Sequence, residues 1–294
     1  MTWIPRGVRW LVTGASGQLG LTLVERARAR GLDVVATDRE QLDISERDAL
    51  DRALAELEPA VVVNAAAFTA VDQCEQEDPD ARRVNAEAPG LLAEACAGRA
   101  LLIHLSTDYV FDGCSTEPLA EEAVPAPLQV YGRWKLEGEE RVRAVAGEHL
   151  IVRTSWLFGP GPNFVRSILA RAASGGPLRV VTDEVGHPTW TGTLADALLD
   201  VASGPVRGTL HVANRGVTTR HAFARQIVAE GARRGWNGEV PVEPIVRADL
   251  GLPAERPAHA VLDLSRAREA GLDLPHWRDA LADYLDGEAE RHDA

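Results

Sequence analysis

The chain is poor in three things that would otherwise set its class. It has 3 cysteines in 294 residues, Cys74, Cys96 and Cys114, an odd number with no CxxC pair. That excludes a disulfide framework and a thiolate-held structural zinc, and it suits a reducing compartment. Positive charge is scarce: 31 Lys+Arg face 44 Asp+Glu, a formal net charge of −13. Nucleic acid is therefore an unexpected partner, because a phosphate backbone needs a basic face. Long apolar runs are also missing, so no membrane span is expected. The few apolar residues ahead of the first glycine-rich turn are too few for the core of a signal peptide. The expected setting is the cytoplasm. The 8 histidines are scattered, without an HxxxH or HExxH spacing, so no metal centre is expected. Gly-x-Ser-x-Gly is missing too, which removes the main argument for a hydrolase elbow.

What is present is enough apolar content, 45%, to bury a substantial core. Residues 10–13 form a short apolar strand, and Gly14-Ala15-Ser16-Gly17-Gln18-Leu19-Gly20 follows at once. Residues 21–30 then read as a helix stopped by Gly31, and residues 33–38 as a second strand ending in a carboxylate. Strand, glycine turn, helix, strand, acid is the order of a dinucleotide-binding βαβ unit. Gly14 permits the tight turn, Gly17 lets a diphosphate approach the backbone, and Gly20 allows close helix–sheet packing. Asp38 at the strand end suits a ribose hydroxyl, hence NAD, whereas its neighbour Arg39 suits the 2′-phosphate of NADP. The reductant is left as NADPH or NADH.

The alternation continues. Ser45 is expected to cap a helix through residue 57, residues 60–64 form a buried strand, and residues 79–97 read as one helix. A strand at 101–107, a helix at 131–145 and a strand at 150–153 follow. This predicts an α/β chain with a Rossmann-type, doubly wound parallel sheet. After Trp156 the texture changes to glycine- and proline-rich loops between helices expected near 163–173, 193–202, 219–231 and 277–285, with a strand near 209–213. Residues 1–158 are read as an NAD(P)-binding domain. Residues 159–294 are read as a smaller substrate-binding α/β domain, with a segment of it able to return to the sheet. The acidic run at 117–122 reads as a solvated loop.

The chemistry is expected where the 101–107 strand ends in Ser106, Thr107 and Asp108, close to Tyr131-Gly132-Arg133-Trp134-Lys135. Tyr131 and Lys135 are four residues apart and share a helix face. An ammonium one turn away, together with an oxidised nicotinamide, should lower the phenol's pKa from its usual value of about 10. Thr107 would hold a substrate oxygen in line with that phenol. Hydroxyl, phenol and ammonium are the equipment for passing a proton to or from a carbonyl or alcohol oxygen. His187, in Gly186-His187-Pro188-Thr189, is a second candidate for touching substrate. Arg256 is another, since a guanidinium suits a sugar diphosphate through bidentate hydrogen bonds.

Ser106-Thr107-Asp108-Tyr109-Val110-Phe111-Asp112-Gly113, the Tyr131–Lys135 run and Arg153-Thr154-Ser155-Trp156 resemble the dTDP-4-dehydrorhamnose reductases of the extended short-chain dehydrogenase/reductase class. Asn64-Ala65-Ala66-Ala67-Phe68-Thr69-Ala70-Val71-Asp72, Gly186-His187-Pro188-Thr189-Trp190, His211-Val212-Ala213-Asn214 and Arg256-Pro257 fit the same pattern. The resemblance implies reduction of the C4 ketone of a dTDP-linked 6-deoxy-4-ketohexose by NAD(P)H, with Tyr131 as proton donor. It implies that Gly17, Gln18 and Leu19 touch the cofactor diphosphate and that Asp43 and Ile44 flank the adenine. Ala66, Ala67 and Phe68 would line the cofactor's path, and Lys135 would meet its nicotinamide ribose. Thr107, Asp108, Tyr131 and Trp156 match the family's substrate positions. Some members hold magnesium through glutamates at a dimer contact. The matching places here are Thr22 and Gly192, so no metal is carried over, and a homodimer is left open.

Overall fold

The computed structural model describes residues 7–293 other than 77 and 146, with side chains described through residue 289. Residues 1–6, the start of the stretch weighed above for a leader, lie outside the described residues. The chain opens with β1 (Arg9–Thr13), α1 (Gln18–Ala29), β2 (Asp33–Thr37), α2 (Arg47–Leu57) and β3 (Val61–Asn64). Gly31 ends α1 in a left-handed turn, φ 73°, with the Leu32 amide donating back to Ala27 O at 3.0 Å. Two departures from expectation follow. Ser45 does not cap α2, whose N-cap is Glu46. Its hydroxyl instead donates to the Asp43 carboxylate at 2.6 Å, a charged acceptor that outcompetes a helix amide.

The expected helix over 79–97 is also divided. Short α3 (Val71–Cys74) and α4 (Pro79–Arg82) lead into a π-helical turn, Arg83–Glu87, before α5 (Ala88–Cys96). Pro89 has no N–H to donate back along the helix, and the ladder widens just ahead of it. The widened turn lets the Asn85 side chain reach sideways, accepting from Phe68 N at 3.0 Å and donating to Phe68 O at 2.8 Å. Then come β4 (Leu101–Thr107), α6 (Val130–Ala144) and β5 (His149–Thr154).

Beyond β5 the strands are short: β6 (Leu157–Phe158), β7 (Leu178–Val181), β8 (Val185–Gly186), β9 (Thr189–Trp190), β10 (Gly208–His211), β11 (Thr218–Thr219) and β12 (Val242–Ile245). Helices α7 (Phe164–Ala173), α8 (Thr191–Ala202), α9 (Arg220–Arg233), α10 (Ser265–Glu269) and α11 (Trp277–Asp293) accompany them. Asn163 caps α7 through Arg166 N at 3.1 Å, and Thr219 caps α9 through Ala222 N at 3.0 Å. Their own core joins Phe158, Ile168, Phe223, Ile227, Trp277 and Leu281.

The main sheet runs β10-β5-β4-β3-β1-β2, every pair parallel. Strand side chains alternate between two apolar layers. Trp10, Val12, Val61, Val63, Ile103 and Val152 face α1 and α8, whose Leu23 and Leu198 share that core. Leu11, Val62, Leu102 and Ile151 face α2, α5 and α6 through Leu54, Leu92 and Val142. Burial on both faces is why these strands read as continuous apolar runs. The sixth strand, β10, comes from far along the chain and pairs with β5. The acidic loop ahead of α6 reaches this flank: Glu121 accepts the His211 amide at 2.9 Å and its carbonyl accepts from Arg153 at 3.3 Å. That loop is thus tied to the sheet at Glu121 rather than wholly solvated.

Candidate active site

Strand order reverses between β1 and β3, and ligands of open α/β sheets sit outside the strands' carboxyl ends at such a point. Gly14 leaves β1 at φ 69°, and a Cβ there would lie 2.5 Å from Ala66 N, so only glycine lets the two loops approach. Gly17 N donates to Gly14 O at 3.0 Å, and Leu21 N to Gly17 O at 2.9 Å. The amides of the first turn of α1 therefore have no carbonyl of their own helix to meet, and they face an anion with the positive end of the helix dipole. Asn64 ties the loops together, accepting from Thr13 Oγ1 at 2.9 Å and from Ala66 N at 3.2 Å. Its amide nitrogen meets His104 Nδ1 at 3.1 Å, and burial keeps that imidazole neutral.

A cavity of about 510 Å³ lies over these ends. Gly17, Gln18, Leu19 and Ala67 line it, and so do Thr107, Asp108, Tyr131, Lys135 and Trp156. The two groups of expected residues, one from the glycine turn and one from β4 and α6, therefore share one space. The remaining expected residues lie outside that lining. Asp38 accepts the Glu40 and Gln41 amides at 3.0 and 3.1 Å, closing the turn after β2. Arg39 is exposed, 3.9 Å from both Asp43 and Asp80. The Ser45 hydroxyl and amide hold the Asp43 carboxyl below its ordinary range, and Ile44 is buried. Ala66 and Phe68 follow β3 in the loop clamped by Asn64 and Asn85. His187 is buried, its ring nitrogens against Gly216 O at 2.9 Å and Leu262 O at 3.2 Å, so it bridges loops. Arg256 makes a two-pronged pair with Asp72 at 2.6 and 2.7 Å and borders a neighbouring cavity of about 380 Å³.

Burial dominates the electrostatics at the centre. Burial raises the Tyr131 phenol above its ordinary value, and Asp108, Tyr109 and Cys74 push the same way. The Thr107 hydroxyl opposes them. The Lys135 Nζ donates to Leu105 O at 2.7 Å. Its own pKa is lowered to about 8 by burial, against the pull of Glu139. Asp108 is pushed up to about 6 by burial, although Thr107 donates to it at 3.0 Å. A high phenol pKa keeps the proton on Tyr131, which suits a group that donates to a ketone oxygen.

Among the lining residues, Phe164 and Arg220 carry no local signal in the sequence, and they gather around Trp156. Trp156 has a left-handed backbone, φ 44°, a conformation bulky residues adopt only when their surroundings enforce it. Gly186 backs its indole so closely that a Cβ there would lie 2.8 Å from the ring. The Arg220 guanidinium lies 3.7 Å over the same ring. Ser155, Phe164 and Arg220 also line the cavity, brought in by the end of β5, by α7 and by α9. Thr22 Oγ1 lies 3.0 Å from Thr191 Oγ1, and Gly192 packs against the Trp190 indole. Among the described residues, no three His, Cys, Asp or Glu side chains gather as a metal site.

A glycine turn at the switch point of a parallel sheet, with threonine, tyrosine and lysine at its rim, is the construction of an NAD(P)-dependent oxidoreductase of the Rossmann type. The family model described as RmlD substrate binding domain matches residues 8–289. A dTDP-4-dehydrorhamnose reductase of Streptomyces griseus is 44% identical over 288 residues, covering 94% of this chain and 92% of that one. A Streptomyces antibioticus protein named "Probable dTDP-4,6-dihydroxy-2-methyloxan-3-one 4-ketoreductase" is 43% identical over 283 residues, covering 93% of each. The solved structure of a Bacillus anthracis dTDP-4-dehydrorhamnose reductase in complex with NADP superposes with a TM-score of 0.90 at 32% identity, covering 96% of this chain and 99% of that one. The chain belongs to the dTDP-4-dehydrorhamnose reductase family.

Proposed function

We propose that the chain reduces the C4 ketone of dTDP-4-dehydro-L-rhamnose to give dTDP-L-rhamnose, using NADPH or NADH, in the cytoplasm. The observation that carries this reading is the meeting of Thr107, Tyr131 and Lys135 with the glycine-turn residues in one cavity. The glycine turn fits a dinucleotide, since a side chain at Gly14 would fill the space between the two loops. Gln18 and Leu19 would hold its diphosphate, Asp43 and Ile44 its adenine, and Ala66, Ala67 and Phe68 its path along the sheet edge. When bound, the reduced dinucleotide supplies the hydride. Tyr131 then gives its proton to the ketone oxygen, while Thr107 holds that oxygen beside the phenol. Lys135, anchored on Leu105 O, fixes the floor of the site and meets the ribose. Trp156 would stack on the sugar and select the face attacked, and Asp108 would accept a sugar hydroxyl. Residues 1–158 serve the dinucleotide and 159–294 the sugar nucleotide, with α8 and β10 returned to the first unit.

A second reading has one specific support. Identity to the Streptomyces antibioticus ketoreductase, 43%, is almost that to the Streptomyces griseus enzyme, 44%. On that reading the substrate is another dTDP-ketodeoxysugar used in a natural product. Turnover of NADH and NADPH against dTDP-4-keto-L-rhamnose and against other dTDP-ketosugars, with the products identified by NMR, tests both. A higher kcat/KM for a different ketosugar would favour the second reading. No oxidation with any of them would leave a non-catalytic regulatory subunit of the same fold.

A further inference from the structure

Of the residues lining the active-site cavity, two are cationic, Lys135 and Arg220. Lys135 is buried and its amine is held on Leu105 O at 2.7 Å. Arg220 is differently placed. Its guanidinium carbon lies over the Trp156 ring, 3.7 Å from the centroid, and 5.2 Å from the centroid of Phe164. Stacking fixes the plane of a guanidinium while leaving its N–H edge available to a two-oxygen acceptor. The carboxylate beside it, Glu184, is 3.4 Å from Nε, at the limit of a hydrogen bond.

The scaffold delivers this arginine with care. Gly186 of β8 pairs with Thr218 of β11, and α9 begins at Arg220, two residues on. The ribbon that backs the Trp156 indole therefore also launches the arginine onto its face. The Arg220 amide donates to Glu184 O at 3.2 Å, pinning the start of the helix to the same ribbon. Arg256, which the sequence favours for the same task, is engaged by both oxygens of Asp72. Its guanidinium is also held by Ala254 O at 2.6 Å.

We propose that Arg220, held over the face of Trp156, receives the diphosphate of the sugar nucleotide through paired N–H donors, exchanging the long Glu184 contact for the phosphates. The inference rests on the reading of the substrate as a dTDP-sugar. It makes Trp156 a support for the phosphate clamp as well as a wall for the sugar.

The test compares wild type with Arg220→Ala and Arg220→Lys, using dTDP as a calorimetric probe and full kinetics with dTDP-4-keto-L-rhamnose and NADPH. Losing a charged, bidentate contact should weaken dTDP binding and raise the ketosugar KM by about tenfold or more in the alanine variant. The KM for NADPH should stay put. The lysine variant keeps charge but not the fork, and should recover only part of the affinity. Wild-type dTDP affinity in both variants, or a KM change confined to NADPH, overturns the inference while leaving the reductase reading intact. A wild type that binds dTDP through Arg220 yet turns over no ketosugar overturns the reading and supports the clamp. If the alanine variant loses dTDP and NADPH binding together, its fold is damaged and the lysine variant decides. Wild-type dTDP affinity there overturns the inference, and a loss of about threefold or more with NADPH binding retained supports it.

Discussion

Glu139 accepts a 2.5 Å hydrogen bond from the Ser106 hydroxyl, joining the strand that ends in Thr107 to the helix that carries Tyr131 and Lys135. Arg153 doubles the joint, donating to the same carboxylate at 2.9 and 2.7 Å from β5, and Arg143 adds a third donor at 2.6 Å. Burial opposes a charge on Glu139, but the Arg153 hydrogen bonds and charge, with help from Ser106 and Arg143, outweigh it and hold the carboxyl below its ordinary range. Three elements are thereby fastened directly behind the proton-transfer groups.

Removing that carboxylate leaves the buried Arg153 guanidinium without its charge partner. Glu139→Ala should destabilise the fold by about 3–5 kcal/mol, the range for breaking one half of a buried pair. Urea denaturation followed by circular dichroism measures it. Stability within about 1 kcal/mol of wild type would show that solvent compensates Arg153 and that the joint is not structural.

The proton donor is tested by Tyr131→Phe. The ring is buried and packs edge-on to Tyr109, with centroids 6.0 Å apart, and phenylalanine keeps that contact. Turnover should fall by about 10²-fold or more, with NADPH affinity near that of wild type. A rate close to normal would mean that another group supplies the proton.

Lys135 predicts a pH dependence of stability that runs opposite to a usual salt-bridged lysine. Its pKa in the folded chain is about 8 against an ordinary 10.5, so between those values the unfolded chain binds more protons. Unfolding free energy should therefore rise as pH climbs from 8 towards 10.5, and the penalty of burying the ammonium is felt in full below that window. Lys135→Met should flatten this slope while removing activity. Unfolding titrations across the window, in both proteins, provide the comparison; the same slope in the variant would assign it to another group.

Cofactor choice should respond at Arg39. The Asp38 carboxylate is occupied by two amides of its own turn, whereas Arg39 is exposed and its acidic neighbours are 3.9 Å away. Arg39→Ala should raise the KM for NADPH by several-fold, up to about tenfold, with little change for NADH. Steady-state kinetics with each dinucleotide would show it, and parallel changes in both would remove Arg39 from 2′-phosphate recognition.

The half that carries the glycine turn was legible because its signals are local. A glycine turn between two apolar strands, and strands buried on both faces, leave marks within a few residues. Where the reading slipped, a competing carboxylate close by, a single proline or a partner distant in sequence had intervened. Ser45 looked like a helix cap until the Asp43 carboxylate claimed its hydroxyl. Pro89 widened a helix that looked continuous, and in doing so brought Asn85 onto Phe68. The strands beyond β5 run two to four residues, too short for any periodicity to show. Arg220 sits at an ordinary capped helix start, and only the indole it covers gives it meaning. Arg256 looked free for a phosphate because Asp72, its partner, lies 184 positions away.

The placement of β10 bears on how the chain comes to fold at all. Because β10 lies on the outer side of β5, the sheet is incomplete until synthesis has passed His211. A nascent chain that has produced only β1 to β5 presents a bare row of amides and carbonyls along β5, the kind of template on which foreign strands add. A fragment cut after Phe158 would keep that flank open and lose α8 from the layer against α1. Self-association, rather than a tidy monomer, is the behaviour to anticipate from such a truncation.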